Sequence, residues 1–171
     1  MKKVVFGLLF LGLASLGYCQ EPKSEAQQVA LEGVTVISPN FSYLTSVQDE
    51  NTPATVRVLE RKAASFNLKK SPIYNQIDEA YEVFFSNSKG RIVATYDNDG
   101  KILSSFEKFG DVVLPVPVRN TIFESYPNWK INSNAYAVSY YRDKGVKKTY
   151  HFQISKEDLK QNLKLTLKGW K

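Results

Sequence analysis

The chain of 171 residues holds one cysteine and one histidine, and that scarcity removes whole classes of chemistry. Most zinc sites and most triad hydrolases are left without their residues. Nine Gly and seven Pro are too few for a collagen-like or low-complexity chain, and 43% hydrophobic residues are enough to build a core. No apolar run reaches the roughly 20 residues that span a bilayer. No glycine-rich phosphate loop exists either, because Lys89-Gly90 and Lys168-Gly169 stand alone. What is present in quantity is aromatic: 10 Tyr, 10 Phe and 2 Trp, a bias that favours β structure.

The N-terminus reads as an export signal. Met1-Lys2-Lys3 is a cationic start, Val4 to Gly17 is an apolar run, and polar residues begin at Gln20. Residues 1–19 are therefore expected to be a cleaved signal peptide, which places the mature protein in the periplasm or outside the cell. Cys19 is also a candidate lipoprotein cysteine. Tyr18 is too bulky where small residues precede a lipid-bearing cysteine, so simple cleavage is the expectation. Cleavage leaves no cysteine, no disulfide and no further membrane-spanning segment.

Removing Lys2 and Lys3 lowers the formal charge from +6 to +4, and the rest is unevenly spread. Residues 142–171 carry nine Lys/Arg against three acids, whereas residues 20–141 carry twelve against fourteen. A basic end attracts anionic partners, although lysines also keep sheet edges soluble.

The periodicity predicts an α+β fold, with helices on one face of an antiparallel sheet. Residues 20–51 read as an extended N-terminal segment, with a strand over Val29 to Ile37 and a short extended piece at Phe41 to Leu44. Thr52-Pro53 starts a helix, Thr as N-cap, that carries Val56, Leu59, Ala63 and Phe66 on one face. Strands at Tyr81 to Phe85, Arg91 to Tyr96 and Lys101 to Phe106 follow. A second helix holds Val118, Ile122, Phe123 and Tyr126, stops at Pro127, and leads to Trp129, expected to pack it against the sheet. Strands at Tyr136 to Tyr141, through Tyr150, Phe152 and Ile154, and over Leu163 to Leu167 complete the chain, with Ser155 to Asn162 read as a connector.

Tyr81 and Tyr136 are 55 residues apart, as are Gly90 and Gly145, which suggests two tandem helix-plus-three-strand units, 52–110 and 111–171. The segment Pro117-Val118-Arg119 through Phe123, Tyr126-Pro127 and Trp129 to Tyr136-Ala137-Val138 resembles PepSY-like domains. Tyr96-Asp97-Asn98-Asp99-Gly100-Lys101 looks like their strand-turn-strand ending. The resemblance covers roughly Thr52 to Trp170 as two copies, an architecture related to that of β-lactamase-inhibitor proteins. It implies an exported, non-enzymatic module that binds or inhibits another protein, here a protein of the cell envelope.

Candidate chemistry is sparse. Asp97-Asn98-Asp99-Gly100 lacks the remaining carboxylates of a calcium loop and reads as a hairpin turn. His151 falls on the solvent side of its strand. Asp78, Glu79 and Glu82 are the one acidic cluster that paired-carboxylate catalysis would use, and they look like surface. Nicotinate-nucleotide adenylyltransferase chemistry needs a His-x-Gly-His motif, which one histidine cannot supply. No metal, cofactor or nucleic-acid motif is found. Partner binding is instead expected around one hairpin, at Tyr141, Arg142, Lys144, Lys147 and Lys148, where aromatics and cations cluster.

Overall fold

A computed structural model describes residues 38–167, so the signal peptide, Cys19 and the strand expected at Val29 to Ile37 lie outside the described residues. Six strands form one antiparallel sheet in simple sequence order: β1 (Ala80–Ser86), β2 (Gly90–Asp97), β3 (Ile102–Gly110), β4 (Lys130–Tyr141), β5 (Gly145–Lys156) and β6 (Leu159–Leu167). Three helices accompany them: α1 (Phe41–Val47), α2 (Ala54–Ser65) and α3 (Val116–Ser125). The α+β class expected from periodicity is therefore observed. None of the described helices is long and apolar enough to cross a membrane.

Alternation along each strand divides the sheet into two faces. One face buries Tyr81, Phe85, Ile92, Tyr96, Phe109, Tyr136, Tyr140, Tyr150 and Phe152 in a single core. Helix α2 lies against β1 and β2, inserting Val56, Leu59 and Ala63 as its spacing predicts. The helix begins one residue later than expected. Pro53 holds the N-cap position, and the Thr52 hydroxyl instead serves the preceding loop through Asp49.

Two expectations are corrected in the second half of the sheet. The cover over β4 and β5 comes from α1, at Phe41 to Leu44, where an extended piece was expected. Tyr43 and Val47 lie one helical turn apart and both point into the core. Seven residues are too few for that period to show in sequence. Asn40 fixes the entry to α1, its side chain bonding the Ala64 and Gly100 carbonyls and the Ile102 N–H. Helix α3 adds Val118 and Ile122 to the core, whereas Trp129 is only partly buried and stacks edge-on against Tyr126 at 6.0 Å.

The second correction concerns Ser155 to Asn162, which is strand rather than connector. Glu157 and Asp158 alone turn the chain, with Lys156 paired to Leu159 and Glu157 at φ 53°. Edge strand β6 is polar along Lys160, Gln161 and Asn162, so no apolar alternation marked it.

The two glycines at matching offsets do different work. A side chain at Gly90 would sit 2.3 Å from the Lys108 carbonyl, so that position requires close approach to β3. Gly145 has open space around it and φ +80°, so there the turn sets the requirement. The Asp97 to Gly100 segment is the expected hairpin turn. Its Asp97 carboxylate accepts from the Asp99 and Lys101 N–H groups, and Gly100 adopts φ +77°.

Candidate functional site

The face of the sheet opposite the helices carries exposed aromatics where strand alternation normally places polar residues. Register aligns Phe84, Val93, Phe106, Ser139 and Lys147 in one cross-strand row of that face. Phe84 is 70% exposed, Phe106 48% and Tyr141 40%. Tyr141 meets Phe106 edge-to-face at 5.6 Å, and the Lys144 ammonium lies 5.7 Å from the Tyr141 ring centre. Phe106 and Tyr141 thus touch, and Phe84 stands in the same row two strands away with half-buried Val93 between them.

Of the five hairpin residues expected from sequence, three gather at this patch: Tyr141, Lys144 and Lys147. Arg142 is drawn sideways, where it pairs with Asp97 at 2.9 Å and donates to the Ile102 carbonyl. Lys148 is the correction. It points into the helix-covered face and is buried, its ammonium 2.6 Å from Asp49 in the loop after α1. The signal was available, since Lys148 shares the even-numbered parity of the core residues Tyr150, Phe152 and Ile154. Lys144→Ser with Lys147→Ser should leave the melting temperature nearly unchanged, because exposed charges contribute little. Lys148→Ala should cost about 2 kcal/mol by stranding Asp49, discounted because Asp49 is partly exposed. Equal effects in urea titrations would contradict this placement.

The covered face hides a second polar cluster that sequence reasoning missed. Glu60 of α2 is fully buried and Glu107 of β3 nearly so. Tyr43 and Ser105 both donate to Glu107 Oε1, at 2.7 and 2.8 Å. Both Glu60 oxygens and Glu107 Oε2 lack a hydrogen-bond partner among the described residues. With both acids buried and neighbouring, one of them holds a proton. Burial first, then the Glu107 charge, pushes Glu60 up to about 9. Burial also raises Glu107, against the lowering effect of its hydrogen bonds from Tyr43 and Ser105. Both glutamates sit on apolar faces, Glu60 four residues after Val56 and Glu107 two before Phe109. A charge at a core position was the visible signal.

Neither glutamate is reached from a cleft. A depression of about 190 Å³ is lined by Gln48, Asp49 and Lys148, and another of about 460 Å³ by Pro53, Pro115 and Pro117 with Glu50 as its one carboxylate. The acids singled out from sequence, Asp78, Glu79 and Glu82, are all exposed. His151 faces solvent on the open face, opposite Lys164. The described residues contain no group of three potential metal-ligating side chains. No protein-family model matches the chain, and the searches of curated proteins and of solved structures found no match either.

Proposed function

We propose that the protein is an exported, non-enzymatic binding module of PepSY-like type that docks another protein on its open sheet face. One observation carries this reading: Phe106 and Tyr141 stand exposed and in contact on the face that the helices leave uncovered, with exposed Phe84 in the same cross-strand row as Phe106. Aromatic residues are enriched in protein interfaces, and a contiguous exposed patch of them marks a surface kept for contact. The alternative, a small envelope hydrolase or transferase using a carboxylate site, has less support, because the paired carboxyls Glu60 and Glu107 are buried beneath α1 and α2. A photo-crosslinking residue in place of Tyr141 should capture a protein from the envelope fraction. Phe84→Ser with Phe106→Ser should abolish that capture while the melting temperature holds. Capture that persists in the double variant would refute docking on this face.

A further inference from the structure

Five cations project from the strands of the open face, and their placement costs folding energy. Arg91 of β2 and Lys108 of β3 are direct cross-strand neighbours on that face, in a row that continues through Ala137 to Thr149. Like charges directly opposite one another destabilise a sheet. Neither has an ion-pair partner among the described residues, and both are exposed. Lys147, Lys160 and Lys164 project from the same face by register, whereas alternation places two acids there, Glu82 and the Asp97 that Arg142 already pairs. The row of Arg91 and Lys108 lies beside the row of Val93 and Phe106, so cations border the aromatic patch.

We infer that the open face recognises an acidic protein segment that also carries aromatic or aliphatic anchors. This rests on the binding reading above and adds the chemistry of the partner. Carboxylates set against Arg91 and Lys108 would relieve the repulsion between them, while apolar side chains cover Phe84, Phe106 and Tyr141. Charge complementarity of this kind speeds encounter and selects the partner more than it adds affinity. An anionic bilayer fits less well. Neighbouring strands turn by roughly 20–25°, so six strands turn by roughly 100° and no plane follows the whole face. A flexible polypeptide can follow that curvature.

The test uses a random copolymer of glutamate and tyrosine, with polyglutamate, phosphatidylglycerol vesicles and single-stranded DNA as competitors. At about 150 mM salt the protein should bind the copolymer at least about tenfold more tightly than polyglutamate. Arg91→Ser with Lys108→Ser should weaken binding about tenfold or more and flatten its salt dependence, with the melting temperature unchanged or raised. Phe84→Ser with Phe106→Ser should erase the preference for the copolymer, and Tyr141→Ser serves if that variant fails to fold. The inference is overturned if the copolymer does not bind, or if Arg91 and Lys108 do not affect its binding. It is equally overturned if vesicles or DNA bind more tightly through those two residues. Crosslinking at Tyr141 separates the two claims: capture without acidic selectivity discards this inference and leaves the binding module in place.

Discussion

Glu60→Gln should abolish most of the decline in stability that the wild-type protein shows as pH rises from 4.5 to about 9. In the unfolded chain Glu60 releases its proton near 4.5, whereas the folded protein keeps it until about 9. The unfolded state then binds fewer protons throughout that window, so stability falls as pH rises. The contribution is complete below 4.5 and gone above about 9. Its slope is on the order of a kcal/mol per pH unit, reduced because Glu60 and Glu107 titrate as an interacting pair. Lys148 opposes the effect from β5, since its charge favours ionised carboxyls. Asp49 and Asp97 act in the opposite sense. Their ion pairs with Lys148 and Arg142, together with backbone hydrogen bonds, hold both carboxyls below the usual range against the raising effect of burial, so their contribution is lost at low pH. The wild type should therefore be most stable in mildly acidic solution. The amide that Glu60→Gln introduces has no proton to lose over this range, so urea midpoints of this variant should stay flat where those of the wild type decline. Parallel declines in both proteins would dispose of a protonated Glu60.

Tyr43→Ala should be the most damaging single truncation, at about 3–5 kcal/mol. The side chain is fully buried, meets Tyr140 edge-on at 5.3 Å, and donates its hydroxyl to Glu107. Alanine would leave a cavity between α1 and β4 and would remove a donor from a buried carboxylate. Tyr43→Phe separates the two effects. It keeps the ring and loses only the hydrogen bond, for about 1–3 kcal/mol. Denaturant titration of both variants checks the order. A cost below about 1 kcal/mol for Tyr43→Ala would mean that α1 does not cover the sheet.

Elements with a clear period were legible in the sequence. Tyr136, Val138 and Tyr140 gave β4 its covered face, and Val56, Leu59 and Ala63 gave α2 its core stripe. Short or polar elements were not. Helix α1 has two core residues in seven, and edge strand β6 runs through three successive polar residues after Leu159 because an edge can leave them in water. The candidate surface was half legible. The aromatic and cationic character of the β4–β5 hairpin was visible, but Phe84 and Phe106 come from other strands and join Tyr141 only through pairing register. Lys148 and Glu107 could have been placed by alternation alone. Charged residues were expected to face water, and here partners in distant elements, Asp49 and Tyr43, hold them in the core.

The order of the sheet bears on how the protein assembles. Each strand pairs with its neighbour in sequence, so β1 to β6 can zip through short turns with little entropy lost to loop closure. Helix α1 is different, since the Asp49–Lys148 pair joins residues 99 apart. Its contact with β5 therefore carries a loop-closure cost that the strand pairings avoid, and late docking of α1 is the expected consequence. Weakening that contact should accelerate unfolding and leave the folding rate almost untouched. Stopped-flow traces of Tyr43→Phe would then move only the unfolding arm. On that expectation the helix that covers the carboxyl pair settles late and detaches early.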